Sequence, residues 1–158
     1  MKTALITGAS VGIGAAFAKE LASRKIDVVL VARSQDKLEK LAEQLRSQYN
    51  IKAYLIPQDL TQPDATQSVF DAISQQGLTI DLLINNAGFG DYGAFADRPL
   101  TKQVQMIQLN ITALVELTHL FLTDMKKRGS GAIVNVASIA GYHPYLIVRF
   151  MREQKPLF

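Results

Sequence analysis

Three spaced glycines separate a short apolar run from a long amphipathic segment near the start of the chain. Gly8, Gly12 and Gly14 follow the apolar run at 4–6 and open a segment at 12–24 that has helical periodicity. Glycines allow a tight turn and a close approach of the backbone to a pyrophosphate, and the N-terminus of the helix supplies free amide groups. Such glycines also occur in ordinary surface turns. Between a strand and a helix they predict a dinucleotide-binding βαβ unit.

The rest of the chain repeats this alternation of short apolar runs and longer amphipathic segments. The runs lie at 4–6, 28–31, 54–56, 82–84 and 133–136, and the candidate helices lie at 12–24, 34–49, 62–76 and 101–128. Ser34 and Thr61 are candidate N-caps of the second and third helices. Continuous apolar runs are typical of parallel strands covered on both faces. The series predicts an α/β fold with a Rossmann-like, doubly wound parallel sheet of strand order 3-2-1-4-5, incomplete at its C-terminal side.

Composition excludes several classes of protein. The 158 residues are 48% hydrophobic and 20% charged, which fits one globular domain. The chain has no Cys, and its two His have no nearby carboxylate spacing, so we expect no metal site. The net charge of +3 comes from scattered residues and does not predict nucleic-acid binding. We find no signal peptide and no uninterrupted apolar stretch of spanning length, so we expect a cytoplasmic protein without a membrane span.

The end of the second predicted strand bears on the choice of nucleotide. An acidic residue there would hydrogen-bond the adenosine ribose and repel a 2′-phosphate, whereas Arg would pair with that phosphate. The strand ends in Arg33, and no carboxylate follows before Asp36. The sequence therefore favours NADP(H), with NAD(H) as the alternative cofactor. A solvated Arg33 that merely opens a loop is the structural alternative.

Two motifs together resemble a known family. Residues 7–14 read TGASVGIG, with the spacing Gly-x3-Gly-x-Gly, and residues 85–88 read Asn-Asn-Ala-Gly after the fourth apolar run. They resemble the TGxxxGxG and NNAG motifs of the short-chain dehydrogenase/reductase family, in its single-domain branch, and the resemblance covers residues 1 to about 143. The extended branch with its epimerases and dehydratases usually has a Gly-x2-Gly-x2-Gly turn, which does not match.

The resemblance implies an NAD(P)-dependent oxidoreductase that transfers hydride between nicotinamide and the carbon of a carbonyl or alcohol substrate. The implied cofactor-binding residues are Gly8, Ser10, Gly12, Ile13, Gly14, Arg33, Asp59, Leu60, Asn86, Ala87 and Gly88. Asp59 would contact the adenine, although an Asx-turn or a helix cap explains it equally well. NADP-using relatives usually carry a second basic residue at the position of Val11, which is apolar here.

Two catalytic residues are also implied by the resemblance. Ser138 closes the fifth predicted strand and would hydrogen-bond the substrate carbonyl oxygen. Asn110 lies within the long fourth helix, where the family's Asn bends the helix and supports a water-mediated proton relay to a catalytic Lys. An isolated Asn within a helix is otherwise only a polar residue of poor helix propensity.

The family's proton donor is the Tyr of a Tyr-x3-Lys motif, because hydride addition at carbon must be matched by a proton at oxygen. Thirteen residues after Ser138, where the resemblance puts that Tyr, the chain has Met151. Lys155 stands four residues further, but Pro156 disfavours a helix through this segment. The motif is therefore absent from the sequence.

A shifted reading frame can encode the motif. Codons that overlap those of residues 150–157 can encode Tyr-Ala-Arg-Ala-Lys-Ala-Phe, with the Tyr at the position of Met151. We therefore predict a frameshift between about His143 and Arg149, an NAD(P)-binding domain at 1–143 and an aberrant tail at 144–158. We expect this chain to be poorly stable and close to inactive, and the intact family member to be a homo-oligomer. The alternative is a non-catalytic NADP-binding or regulatory module.

Overall fold

The computed structural model describes residues 2–138, so Met151, Lys155 and the predicted tail at 144–158 lie outside the described residues. Strands and helices alternate through the described part of the chain. The strands are β1 (Thr3–Thr7), β2 (Asp27–Ala32), β3 (Ala53–Pro57), β4 (Leu82–Asn85) and β5 (Ala132–Asn135). The α-helices are α1 (Gly12–Ser23), α2 (Gln35–Tyr49), α3 (Ala65–Gln75), α4 (Leu100–Ile107) and α5 (Ala113–Arg128). A π-helical turn (Gln108–Thr112) joins α4 to α5, and a 3₁₀ turn (Phe95–Asp97) precedes α4.

The five strands form one parallel sheet in the order β3-β2-β1-β4-β5. In the register, Leu5 of β1 lies opposite Val29 of β2 and Leu83 of β4, and Leu83 lies opposite Ile133 of β5. The predicted doubly wound fold and its strand order are confirmed. Since the strands are parallel, the loops that follow β1, β2, β3 and β4 open at the same edge of the sheet.

Alternate residues of the central strands supply two separate hydrophobic cores, because successive side chains of a strand point to opposite faces. Leu5 packs with α3 and α5 on one face, whereas Ile6 packs with α1 and α2 on the other. Both side chains are fully buried. On the first face, the rings of Phe70 and Phe121 meet edge to face, with centroids 5.3 Å apart. This two-sided burial explains why the strands are continuously apolar in sequence.

The edge strand β5 is less covered than the central strands. Its residues alternate between exposed and half-buried, and Val134 is exposed by 38%. Beyond β5, Ala137 lies at the edge of the sheet where the loops open. This part of the sheet therefore has an apolar face towards solvent within the described residues.

The stretch Leu100–Arg128 forms one long helical segment whose outer side carries exposed apolar residues. These residues are Leu100, Val104, Ile107, Val115 and Leu122. An 18-residue window of this segment has a mean hydropathy of 1.3, so by length and composition alone it passes as a membrane span. Polar residues interrupt the apolar ones throughout this segment, and the expectation that the chain has no membrane span stays a prediction. One such helix is a weak indication, since core helices of globular domains also pass.

Candidate cofactor-binding site

A cleft of about 490 Å³ opens at the carboxyl ends of the strands. The loops after β1, β2, β3 and β4 supply most of its wall, and Val136 and Ala137 close it beyond β5. All predicted cofactor-binding residues except Gly12 and Gly14 lie on this wall, namely Gly8, Ser10, Ile13, Arg33, Asp59, Leu60, Asn86, Ala87 and Gly88. The fold thus brings residues that are far apart in sequence to one concave surface.

The glycine turn after β1 packs directly against the loop after β4. Gly8 has a φ of +65°, and a Cβ built on it would lie 2.9 Å from both Ala87 Cα and Asn86 Nδ2. A Cβ on Gly14 would collide with the carbonyl oxygen of Gly8. Gly12 has a φ of +57° and open space around it. Gly14 and Gly12 therefore shape the turn without contributing to the cleft wall.

The amide of Asn86 fastens these two loops together. Its Nδ2 donates to the carbonyl oxygens of Thr7 at 2.9 Å and Gly8 at 3.3 Å. In return, Thr7 Oγ1 accepts the backbone N–H groups of Asn86 and Ala87, each at 3.0 Å. The hydroxyl of Thr7 donates to the carbonyl of Ile84 at 3.3 Å. The ends of β1 and β4 are thereby held in one fixed arrangement.

Asn85, the first Asn of the same motif, has a structural role at the other side of β4. Its Nδ2 donates to Asn135 Oδ1 at 2.9 Å and to Thr118 Oγ1 at 3.0 Å. Asn85 is buried. It therefore ties β4 to β5 and to α5, and it lies behind the wall of the cleft.

The first turn of α1 is open to an anion. Val11 precedes the helix in an extended conformation, and no side chain caps the first amide groups. Ser10, Val11 and Ile13 line the cleft at this point. Because free amides and the helix dipole favour negative charge, this geometry fits the pyrophosphate of a dinucleotide. The position of the nucleotide at this turn stays a prediction.

Asp59 forms the turn that its position after β3 allows. Its Oδ1 accepts the backbone N–H of Thr61 at 3.0 Å and the hydroxyl of Thr61 at 2.8 Å. The Asx-turn hypothesis is confirmed, whereas adenine contact by Asp59 stays a prediction. Both residues line the cleft, together with Leu60 and Gln58.

The segment that follows β2 contributes positively charged side chains to the wall of the cleft. Arg33 and Ser34 line the wall, and so does Lys37 in the first turn of α2. The sequence analysis missed Lys37, although its spacing of four residues from Arg33 was a usable signal at a helix start. No carboxylate of this segment lies on the wall.

Asn110 lies inside the π-helical turn and is buried. Its Oδ1 accepts the backbone N–H of Phe89 at 3.1 Å, and its Nδ2 donates to the carbonyl of Phe89 at 2.9 Å. Phe89 lines the cleft immediately after Gly88. Asn110 therefore fixes the loop after β4, and the irregular turn lies where the resemblance implies a bend. Its part in a proton relay stays a prediction.

Ser138 is half-buried and follows Val136 and Ala137 beyond β5. Those two residues line the cleft, whereas Ser138 lies just outside its wall. The backbone of Val136 donates to the carbonyl of Asn85 at 3.0 Å, which continues the pairing of β5 with β4. The catalytic role predicted for Ser138 stays a prediction.

A charged cluster holds the loop between β4 and α4. Asp91 pairs with Lys102 at 3.1 Å and with Arg98 at 3.4 Å. The hydrogen bond from Lys102 and the positive charges of both partners hold the pKa of Asp91 below its usual value. Gln103 is buried, and its Nε2 donates to the carbonyls of Phe95 at 2.9 Å and Arg98 at 3.2 Å. The loop is therefore anchored to α4.

A glycine turn, an amide-lined cleft and a 3-2-1-4-5 parallel sheet together define a dinucleotide-binding domain. Residues 2–149 match the family model described as short chain dehydrogenase. The chain belongs to the short-chain dehydrogenase/reductase family.

Similar proteins of known name are reductases and dehydrogenases. The chain is 38% identical over 149 residues to a very-long-chain 3-oxoacyl-CoA reductase of Anas platyrhynchos, covering 89% of this chain and 46% of the relative. It is 39% identical over 140 residues to the ketoacyl reductase HetN of Nostoc sp., covering 89% of this chain and 48% of the relative. The chain thus spans about half the length of these curated relatives.

Solved structures give the same picture. A short-chain dehydrogenase from Sphingobium yanoikuyae in complex with NADPH superposes with a TM-score of 0.92 at 36% identity, over 98% of this chain and 60% of that chain. A bulky-bulky ketone specific alcohol dehydrogenase from Comamonas testosteroni also gives a TM-score of 0.92, at 35% identity, over 98% of this chain and 62% of that chain.

Proposed function

We propose that this chain binds NADP(H) in the cleft, as the cofactor-binding part of a short-chain oxidoreductase. The observation that carries the proposal is the convergence on one cleft of the turn at Gly8, the cation of Arg33 and the loop at 86–88. The relative from Sphingobium yanoikuyae, which is similar over 98% of this chain, is in complex with NADPH. This relationship supports NADP(H) as the nucleotide.

Each part of the cleft would recognise a different part of the nucleotide. The uncapped amides at the start of α1 would bind the pyrophosphate. Arg33 would pair with the 2′-phosphate and thereby favour NADP(H) over NAD(H). Asp59 would accept a hydrogen bond from the adenine through Oδ2, since its Oδ1 is engaged by Thr61. When bound, the nicotinamide supplies or accepts hydride.

The reaction of the intact enzyme would interconvert a carbonyl compound and an alcohol, which agrees with the names of its relatives. Ser138 would donate a hydrogen bond to the substrate oxygen and orient it. Asn110 would hold the loop at Phe89 in place beside the nicotinamide and support the proton relay. A proton donor must complete the reduction, because the oxygen acquires a proton when the carbon acquires hydride.

A second candidate function is a non-catalytic NADP-binding or regulatory module. The observation that favours it is Met151, which stands where the family resemblance puts the proton-donating Tyr. In this case the chain would bind NADPH without turning over a carbonyl substrate. We propose binding without turnover for the 158-residue chain, whichever origin the altered segment has.

Calorimetric titration of the 158-residue chain with NADPH and with NADH tests the proposal. We expect binding of NADPH to be tighter than that of NADH, with no NADPH oxidation when a panel of ketones and 3-oxoacyl thioesters is added. If neither NADPH nor NADH bound to the chain, the proposal would be wrong. The nucleotide sequence from codon 138 onward separates the two candidates, since codons that cannot encode Tyr and Lys in the shifted frame would leave the non-catalytic module.

A further inference from the structure

The side chain of Asn85 has one atom whose hydrogen bonding is incomplete. Its Nδ2 donates to Asn135 Oδ1 and to Thr118 Oγ1, so both hydrogens of the amide are used. Its Oδ1 accepts no hydrogen bond from residues 2–138, although the residue is exposed by only 4%. A buried acceptor without a partner is costly, and such atoms in folded proteins commonly bond to an ordered water.

A small pocket lies beside Asn85, at the carboxyl ends of β1 and β4. Its volume is about 10 Å³, which is roughly the space that one water molecule needs. Leu60, Ala87 and Leu109 belong both to the wall of this pocket and to the wall of the cofactor cleft. The pocket therefore lies directly beside the cleft, between the sheet and the start of α5.

The π-helical turn provides a second acceptor at this pocket. In a regular α-helix, the N–H of Ala113 would bond to the carbonyl of Leu109. Here that N–H donates to the carbonyl of Gln108. The turn thus takes the α-helical partner away from the carbonyl of Leu109, a residue of the pocket wall. Water can insert into the hydrogen-bond ladder at irregular points of a helix such as this one.

The side chains of the pocket wall cannot donate a hydrogen bond to Asn85 Oδ1. The hydroxyl of Thr7 already donates to the carbonyl of Ile84 and accepts the N–H groups of Asn86 and Ala87. The other wall residues are apolar, namely Leu60, Ala87, Leu109, Ala113, Leu114 and Leu117. Within residues 2–138, a donor for Asn85 Oδ1 must therefore come from a molecule in the pocket.

We propose that this pocket binds a single water molecule, which donates one hydrogen bond to Asn85 Oδ1 and the other to the carbonyl of Leu109. The water connects the end of β4 with the π-helical turn. It differs from the water of the proton relay, which the family resemblance assigns to Asn110. Because the pocket lies outside the nucleotide cleft, this site does not depend on the proposed function.

Water-selected NMR on the isotope-labelled 158-residue chain, without nucleotide, tests this site. The measurement reads cross-relaxation between water and the methyl groups of Ala113 and Leu117, which are buried in the pocket wall and do not line the cleft. Methyl protons do not exchange with water, so rates of opposite sign in the NOE and ROE experiments identify a water that stays bound. We expect such cross-peaks at both residues. Leu38, fully buried in the other core, is the internal control and should show none.

Three variants assign the cross-peaks to the proposed site. Asn85→Leu removes the acceptor at similar side-chain size, and Ala113→Val fills the pocket while it keeps Asn85. We expect each of them to abolish the cross-peak at Leu117. Asn135→Ala should keep that cross-peak, because it removes a partner of Asn85 Nδ2 and leaves Oδ1 in place. The hydroxyl of Thr7 is present in all three variants, so exchange of its proton cannot explain a loss.

Two results would overturn the assignment of this water. One is a wild-type chain without cross-peaks at Ala113 and Leu117. The other is a cross-peak at Leu117 that persists in Asn85→Leu or in Ala113→Val, because neither variant can hold a water between Asn85 Oδ1 and the carbonyl of Leu109.

Discussion

The side chain of Asn110 is bonded to both backbone groups of Phe89, with its Oδ1 accepting the N–H at 3.1 Å and its Nδ2 donating to the carbonyl at 2.9 Å. The amide of Asn110 thereby satisfies the N–H and the carbonyl of Phe89 in the way that the backbone of a paired strand would. Because Phe89 lines the cleft, these hydrogen bonds connect the π-helical turn Gln108–Thr112 directly to the cleft wall.

We expect Asn110→Ala to lower the free energy of unfolding by about 2 kcal/mol, because it leaves two partly buried backbone groups of Phe89 without their partner. Urea denaturation measures this loss. Amide exchange at Phe89 should accelerate in the variant, since its N–H loses its acceptor. Gln105→Ala is the control, because Gln105 is exposed on the same helical segment. Equal stabilities of the two variants would show that the Phe89 contacts contribute nothing.

Gly14→Ala tests the contact between the glycine turn and the loop after β4. Ala is favoured over Gly within a helix by about 1 kcal/mol. A Cβ on Gly14, however, collides with the carbonyl of Gly8 and lies 2.6 Å from Asn86 Nδ2. Because the blocking atom belongs to the backbone, overpacking of about 3 kcal/mol outweighs the propensity gain. We expect a net loss of about 2 kcal/mol in the free energy of unfolding, measured by urea denaturation.

Gly12→Ala is the matched control for this prediction. Gly12 has a φ of +57° but nothing within 4 Å of its added Cβ. The free energy of unfolding of this variant should fall by about 1 kcal/mol, because Ala is strained in the left-handed backbone conformation. A larger loss in Gly12→Ala than in Gly14→Ala would contradict the packing argument.

The fold was predictable because its signals are local and repeated. Continuous apolar runs and a glycine turn at the first strand–helix junction are enough to define a parallel sheet, its strand order and the edge at which the cleft opens. The residues of that edge, from Gly8 to Asn86, could be named because their motifs resemble those of the family. The parallel strands then explain why these motifs meet, since their carboxyl ends lie at one edge of the sheet.

Other features depend on contacts that a single sequence does not reveal. The helix expected from 62 onward begins only at Ala65, because Thr61 is engaged in the turn at Asp59 and does not cap α3. The partner of Asn110 is 21 residues away in sequence, across a loop without periodicity. In the sequence, Lys37 resembles any exposed residue of a helix, and only the structure shows that it lines the cleft.

The charged cluster of Asp91 predicts a specific dependence of stability on pH. Lys102 and Arg98 lower the pKa of Asp91 in the folded chain below the value of an unfolded Asp, about 3.9. The contribution of Asp91 to stability is therefore present above the unfolded pKa and is lost as the pH falls through the folded pKa. We expect Asp91→Asn to be less stable than the wild type at about pH 6, and the difference to shrink towards about pH 3.

Urea midpoints of both chains across this range measure the effect. Asp97→Asn is the control, because Asp97 lies in the same loop, is exposed and has no ion pair among residues 2–138. The Asp97 variant should track the wild type at every pH. A difference for Asp91→Asn that stays constant from pH 6 to pH 3 would mean that its carboxylate charge is irrelevant.

Arg33→Asp should reverse the nucleotide preference of the cleft. The substitution removes a cation from the wall after β2 and introduces a carboxylate there. A carboxylate repels a 2′-phosphate and accepts hydrogen bonds from a free ribose hydroxyl. We expect NADPH affinity to fall by roughly a hundredfold and NADH affinity to stay the same or to rise, as measured by calorimetry.

Lys40→Asp separates this local effect from a change in overall charge. It alters the net charge by the same amount as Arg33→Asp, but Lys40 lies on the exposed side of α2 away from the cleft. Dissolved salt screens the charge of an exposed side chain that lies away from the cleft. The NADPH affinity of Lys40→Asp should therefore stay within about threefold of the wild type at physiological ionic strength. Equal losses of NADPH and NADH binding in Arg33→Asp would mean that Arg33 does not read the 2′-phosphate, since only one of the two nucleotides carries it.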